Sequence, residues 1–243
     1  MVKMIVVDLD GTLLQDDKTV SERNRLALLR CRELDIKVIF ATGRAYRTKI
    51  VPSNWFDGYV KSNGAYAYAD GVEVYQSTIS DEIIQNILKV CNRRHIDAEV
   101  RGNAGFILHD LTHIDAEYIN SILPPNLYLV VLRDNFGQIM HRNATKSKAV
   151  EALTHHYNIS PTEVVAFGDD LNDIELLSWA GIGVAMGNAV DTVKAIANEI
   201  CLSNEDDGVA VWIEENIFGG ASNDGKKSAF DTIISTVVDL EEM

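Results

Sequence analysis

Val6-Val7-Asp8-Leu9-Asp10-Gly11-Thr12-Leu13-Leu14 is the stretch on which the reading of this chain turns. A short apolar run ends in two aspartates with one residue between them. On a continuing strand Asp8 and Asp10 would face the same side, and Gly11 lets the backbone curl around a ligand. Such a pair suits a nucleophile and a general acid/base, with a cation between them. The same residues also suit a solvent-facing turn ahead of a helix, and the pair alone does not choose.

Outward from it, the chain reads as an alternation. Lys3 to Leu9 is a β-branched strand. Val20 to Leu34 is an amphipathic helix, with Ser21 as N-cap. Ile36 to Ala41 and Phe56 to Lys61 are further strands, and their lack of clean alternation predicts burial on both faces of a mostly parallel sheet. Asp70-Gly71 between Tyr/Val-rich runs predicts a hairpin. Helices follow at 80–94 and 112–121, with short strands at 97–101, 105–108 and 127–132. The first rhythm then resumes: helix 146–157, strand 163–167, helix 171–179, strand 181–186, helix 190–198, strand 199–202 and helix 207–216. Residues 219–227 read as linker, and 230–240 as an uncertain tail element.

The fold class expected is α/β: a Rossmann-like, doubly wound core with an inserted small α/β domain. The expected core is 1–78 and 142–243, with 219–243 an uncertain tail, and the expected insert is 79–141.

Composition bounds the function. The 243 residues are 47% hydrophobic, enough for a substantial core, and the formal charge is -14. That balance argues against nucleic acid or an anionic membrane as partner. Cys31, Cys91 and Cys201 are odd in number and form no C-x-x-C, so we expect reduced thiols and a cytoplasmic location. No apolar run approaches a membrane span, and Asp8 and Asp10 interrupt the first apolar run, unlike a signal peptide.

Every unusual polar cluster falls at the end of an expected strand: Asp8 and Asp10, Thr42, Asn63, Asp169, Asn188. In open parallel sheets, ligands bind there. Asp169 and Asp173 are four apart at a helix start and can share a face, although acidic residues in a first turn are also ordinary capping. With Asp8 and Asp10 they suit a hard cation, best Mg²⁺, and the absence of His or Cys from the cluster disfavours zinc. Thr42 offers a hydroxyl to phosphate oxygens. Lys146 or Lys148 offers an ammonium to the nucleophile and the transferring group, and spacing does not separate the two. Together these make a phosphoryl-transfer set. There is no G-x-x-x-x-G-K-[ST] loop and no G-x-G-x-x-G after the first strand.

At this point the chain resembles the haloacid dehalogenase-like hydrolase superfamily, and within it the Cof-type or IIB phosphatases with a C2-type cap. The likeness rests on DLDGTLL at 8–14, ATGR at 41–44, TKSKAVEAL at 145–153 and AFGDDLNDIELL at 166–177. SNGA at 62–65, GVAMGNA at 183–189 and SNEDDGVA at 203–210 add to it. The resemblance implies that Asp8 is phosphorylated, that Asp10 is the acid/base and puts its backbone carbonyl on Mg²⁺, and that Thr42 binds the phosphoryl group. It implies Lys146, rather than Lys148, as the lysine of the site. It places Asp169 on Mg²⁺, Asp173 in the metal shell, and Asn172, Arg44, Asn63 and Asn188 around the substrate. Ser147 departs from the family's usual glycine, the insert is short for the Cof type, and the tail after Gly219 has no counterpart.

The expected function is therefore a Mg²⁺-dependent phosphatase of a small phosphorylated metabolite, a sugar phosphate first, acting as a monomer or homodimer. Phosphoglycolate and pyridoxal- or flavin-type phosphates are the alternatives, as is a phosphotransferase or phosphomutase on the same core. A non-catalytic binding protein is disfavoured because Asp8 and Asp10 are both present. The insert is expected to read the substrate, with Arg101, Asn103, His109 and Arg133 as candidates and Gly102 and Gly105 shaping a loop.

Overall fold

A computed structural model describes residues 1–45, 51–131 and 135–219. Arg133 and the 220–243 tail lie outside the described residues. The larger sheet is built from strands β1 (Met4–Val7), β2 (Lys37–Ala41), β3 (Gly58–Lys61), β4 (Tyr66–Ala69) and β5 (Val72–Gln76), joined by β10 (Val164–Gly168), β11 (Ile182–Ala185) and β12 (Glu199–Ile200). Their order is β12-β11-β10-β1-β2-β3-β4-β5. From β12 to β3 all neighbours are parallel, and β4 and β5 close the other edge antiparallel. Asp70 and Gly71 both take positive φ at the β4–β5 turn, as a tight two-residue hairpin demands.

Four helices belong to this sheet in addition to α1 (Glu22–Glu33), which packs against α7 (Gly208–Asn216). They are that α7 itself, α4 (Lys146–Tyr157), α5 (Ile174–Trp179) and α6 (Asp191–Ile196), and α4 packs against α5 and α5 against α6. Both layers are required because every residue of β1 and β10 is buried, so neither sheet face meets water. Full burial of each Ile or Val in β1 contributes about 1.5–3 kcal/mol.

Between β5 and α4 the chain leaves this sheet and builds a second one. Strands β6 (Asp97–Val100), β7 (Gly105–His109), β8 (Leu127–Val131) and β9 (Gly137–His141) pair antiparallel in the order β6-β7-β9-β8. Helices α2 (Asp81–Arg94) and α3 (His113–Ile122) cover one face, and Ile84, Ile87, Phe106, Leu108, Ile119 and Ile139 form a core separate from the large one. Strand β9 is not among the strands that the sequence predicts. Its alternation of Gln138, Ile139 and Met140 is short and opens on a glycine. The expected helix at 171–179 starts instead as a 3₁₀ turn, Leu171–Asp173, because Asp170 and Asp173 form a capping box there. Among the described residues no helix is long and apolar enough to cross a membrane.

Strand order fixes where a ligand can sit. From β1 the chain winds one way through β2 and β3, and later the other way through β10, β11 and β12. The crevice opens where the order reverses, between the carboxyl ends of β1 and β10. Asp8 follows β1 and Asp169 follows β10.

Candidate active site

The strand β1 ends at Val7, one residue before the first aspartate. Gly11, at φ +82°, rolls the chain over. The expectation of a continuing strand with both carboxylates on one side is thus corrected: Asp8 turns inward and Asp10 turns to the rim. Asp8 is buried, and its Oδ1 accepts from Lys146 Nζ at 2.6 Å. Asp10 is gripped by Arg44, which donates from Nε to Oδ2 at 2.6 Å and from Nη2 to Oδ1 at 2.5 Å, with Lys18 at 3.5 Å.

Lys146 is the first residue of α4, behind the N-cap Thr145. Its side chain is 1% exposed, and burying an ammonium costs several kcal/mol unless it is paired. Two carboxylates pair it: Asp8, and Asp173 Oδ1, also at 2.6 Å. The second oxygen of Asp173 accepts from the backbone N–H of Asp169 at 3.1 Å and of Asp170 at 3.2 Å. Asp173 therefore fixes the loop after β10 onto the lysine. Lys148, the rival in sequence, donates instead to Asn143 Oδ1 and stays outside.

Asp169 completes the group. Thr12, fully buried, donates from its hydroxyl to Asp169 Oδ1 at 2.7 Å. The other oxygen, Oδ2, lies 2.3 Å from where a Cβ on Gly11 would stand, so only glycine admits it. Carboxylate oxygens of Asp8, Asp169 and Asp173 all lie within 4.8 Å of one another. Three carboxylates face one ammonium, an excess of negative charge in a dry crevice. Burial pushes Asp8 up to about 7, against the pull of Lys146, and Asp173 and Asp169 add to the rise. Burial also raises Asp169 to about 6, opposed by the Thr12 hydrogen bond. Burial by itself would lower the Lys146 ammonium, but Asp173 and Asp8 outweigh it and raise it. An all-oxygen donor set with surplus negative charge fits a divalent cation. The Asp10 carboxylate is outside this set; the Arg44 hydrogen bonds hold it below the usual carboxylate range.

Thr42 is buried at the end of β2, and its hydroxyl accepts from the Arg44 N–H at 3.2 Å. Asn63 sits in the left-handed region, and its Oδ1 accepts from Asn172 Nδ2 at 2.9 Å. The Asn188 side chain donates to Gly11 O at 2.7 Å and accepts from Asn204 N at 3.0 Å, tying the Asp8 loop to the loop before α7. Asp8, Asp10, Thr42, Arg44 and Asn172 all line one cavity of about 630 Å³ between the strand ends and the small sheet. Asn188 supports its floor from behind. Thr12 and Asn204 were missed in the sequence: nothing marks a Thr or Asn as a second support until the loops are folded.

Of the candidates in the insert, Arg101 and Gly105 line the cavity roof, joined by Phe106, Ile107, Gln138 and Met140. Asn103 is occupied elsewhere, donating to Ile79 O and Asp81 Oδ1. His109 packs edge-on against Phe136. Gly102, at φ +58°, shapes the turn beside Arg101.

The family model for haloacid dehalogenase-like hydrolases matches residues 5–119 and 107–213. A 5-amino-6-(5-phospho-D-ribitylamino)uracil phosphatase, YitU of Bacillus subtilis, is 29% identical, over 87% of this chain and 96% of that protein. A phosphoglycolate phosphatase of Methanopyrus kandleri is 27% identical, over 88% of this chain and 97% of that protein. Among solved structures, the phosphatase BT1666 of Bacteroides thetaiotaomicron superposes with a TM-score of 0.79 at 21% identity, over 88% of this chain and 95% of its own. The subclass IIB sugar phosphatase BT4131 superposes at 0.75 and 23%, over 88% and 98%. Those two likenesses bear on the fold. With the buried Asp8–Lys146–Asp173 chain at the switch point of the sheet, the family match settles the matter: the protein belongs to the haloacid dehalogenase-like hydrolases.

Proposed function

We propose that the protein is a Mg²⁺-dependent phosphoric monoester hydrolase that frees phosphate from a small soluble metabolite through an aspartyl-phosphate on Asp8. The observation that carries this is the Asp8 carboxylate on the cavity floor, with Oδ1 tied to buried Lys146 and Thr42 also lining the floor. Lys146 fixes Oδ1, so Oδ2 is the attacking atom. Attack forms an Asp8 Oδ2–P bond as the bond from phosphorus to the leaving oxygen breaks. Asp10 gives that oxygen a proton, then takes one from the water that attacks the aspartyl-phosphate, which returns Asp8 and releases inorganic phosphate. The pairing with Arg44 keeps Asp10 a carboxylate, the form the second half requires; donation in the first half requires Arg44 to swing onto the substrate. Thr42 and Lys146 hold the phosphoryl oxygens. Asp8, Asp169 and Asp173, with the Asp10 carbonyl, would hold the Mg²⁺, which supplies positive charge against the phosphate.

Residues 1–78 and 142–243 make the catalytic core in this reading, with 79–141 the cap. Asn172, Asn63 and Asn188 place the phosphate-side loops. The cavity is large enough for a phosphate and a sugar-sized leaving group. A sugar phosphate is the first choice by size. The apolar part of the roof favours a cofactor-type phosphate as a second reading. The free thiols of Cys31, Cys91 and Cys201 support a cytoplasmic location, and the enzyme works as a monomer or homodimer.

The test is phosphate release from a panel of phosphorylated metabolites and an activated aryl phosphate, with and without Mg²⁺, and transfer to sugar acceptors measured alongside. No turnover of any member would reject the proposal. Transfer exceeding hydrolysis would make it a phosphotransferase.

A further inference from the structure

The chain crosses between the two sheets twice: outward from β5 through residues 77–80 to α2, and back from β9 through residues 142–145 to α4. Each crossing is tied to its surroundings. On the outward one, Ser77 N donates to Ala65 O at 2.8 Å on the large-sheet side, and Ile79 N to Asn103 O at 2.8 Å on the insert side. On the return, Arg142 donates from its backbone N–H to Asn126 O and from Nε to Pro125 O, both at 2.8 Å. Thr145 then caps α4, whose first residue is Lys146.

One side chain joins the two crossings. His141, the last residue of β9, has its Nδ1 at 2.8 Å from Ser77 Oγ, and the backbone N–H of Asn143 donates to the same nitrogen at 3.1 Å. Ser77 is buried and His141 half-buried. A hydroxyl can donate or accept, but a backbone N–H only donates. Nδ1 is therefore the bare, accepting nitrogen, the ring proton sits on Nε2, and the Ser77 hydroxyl also donates.

Protonation reverses this. An Nδ1–H would meet the Asn143 N–H donor to donor. Ser77 can rotate its hydroxyl to accept, but Asn143 has to move, and it does not move alone. Its carbonyl accepts from Tyr75 Oη at 2.7 Å and from Thr145 N at 3.0 Å, and its Oδ1 accepts from Lys148 Nζ at 2.5 Å. The next residue, Ala144, is buried with Ala65 of the large-sheet part and Ala104 of the insert. A shift at Asn143 thus reaches both sides of the seam and the start of α4.

The surroundings favour the neutral ring. Burial, and then Lys148 from α4, hold His141 below the usual histidine value. From β5 the facing group is the Tyr75 phenol, itself raised by burial, with Glu151 and Glu175 acting on it. On the return crossing Arg142 turns its guanidinium to Pro125 O. The histidine ion pairs among the described residues belong to His109, His113 and His156, so no carboxylate there stabilises a His141 imidazolium.

Beyond the phosphatase reading, we infer that His141 is a pH-sensitive latch: its bare Nδ1 holds the two crossings in register at neutral pH, and protonation there loosens the insert on the core in acid.

The full chain tests this without turnover, so the outcome is separate from that of the phosphatase assay. ¹⁵N-histidine NMR, with the His141 signals identified by their absence from His141→Asn, should show a proton on Nε2 and none on Nδ1 at about pH 7.5. Hydrogen exchange, corrected for the intrinsic pH dependence of amide exchange, should show protection of residues 142–145 falling about tenfold in the wild type between about pH 7.5 and about pH 5.5. Asn carries Oδ1 where His carries Nδ1 and does not titrate. His141→Asn should therefore keep the neutral-pH protection within about threefold and lose the fall in acid. The melting temperature of the wild type relative to that variant should also drop as pH falls below about 6.5, because the unfolded histidine takes up its proton before the folded one does. A proton on Nδ1 at neutral pH, protection of the return crossing that does not change with pH, or the same fall in His141→Asn would overturn the inference. If the variant does not fold, the wild-type exchange decides: protection held down to about pH 5.5 rejects the latch.

Discussion

Lys146 Nζ lies 2.6 Å from Asp8 Oδ1, with the lysine side chain 1% and the aspartate side chain 8% exposed. A charge pair this dry is costly to break, because removing one partner strands the other in a low dielectric. Here the stranded group would be Asp8, the proposed nucleophile, and Asp173 would be stranded with it. The same ammonium thus holds the fold and the chemistry together.

Lys146→Ala is accordingly expected to lose about 3–5 kcal/mol of stability, read by urea unfolding, along with turnover. Lys148→Ala, two residues on, is the control. Its ammonium meets only Asn143 at the surface, so the change should stay within about 0.5 kcal/mol and leave kcat/KM unaltered. Equal effects of the two would contradict the assignment of Lys146.

Asp8→Asn keeps the shape of the side chain and an oxygen for Lys146 to bond, but removes the carboxylate proposed to attack. Turnover should fall by about 10⁴-fold or more. The melting temperature of the metal-free protein should hold or rise, since burial already disfavours the Asp8 charge. Full activity in this variant would place the nucleophile elsewhere.

The raised Asp8 and Asp169 carboxyls predict a pH dependence with a definite sign. In the unfolded chain both titrate near 3.8; folded and metal-free, they titrate near 7 and 6. Between those limits the folded state binds more protons than the unfolded one, so stability falls as pH rises from about 4 to about 7 and then levels. The paired carboxylates with lowered values, such as Asp10, act only below that window. Melting temperatures in a chelator across this range should decline, and Mg²⁺ should flatten the slope by competing with the protons. A rise from pH 5 to 7 in chelator would contradict the burial of these groups.

Gly11→Ala tests the metal cradle from the backbone side. The new Cβ would meet Asp169 Oδ2 at 2.3 Å, and the φ of +82° disfavours any side chain. Asp169 must then move away from Thr12, and the affinity for Mg²⁺, measured by activation or calorimetry, should weaken on the order of tenfold or more. An unchanged Mg²⁺ dependence would show that Asp169 is not a ligand.

Much of this was legible in the chain. Buried parallel strands need apolar side chains on both faces, so β1, β2 and β10 announce themselves as unbroken runs. Ligands gather at strand ends, so Asp8, Thr42 and Asp169 stood out by position alone. Asp70-Gly71 specified its hairpin through the positive φ that the turn requires. Less was legible in the insert, where β9 is short and where Gln138 and Met140 look like any alternating pair.

What the sequence by itself determined is the order of the layers and the set of groups that can move a phosphate, because periodicity and residue chemistry are local properties. Only the tertiary structure decided between Lys146 and Lys148, turned Asp8 inward and Asp10 toward Arg44, and brought Arg101 and Gln138 to the lining of the cavity. Those outcomes depend on which side chains, more than a hundred residues apart for Asp8 and Lys146, are brought out of water together. Burial then sets the worth of each charge and each unpaired donor.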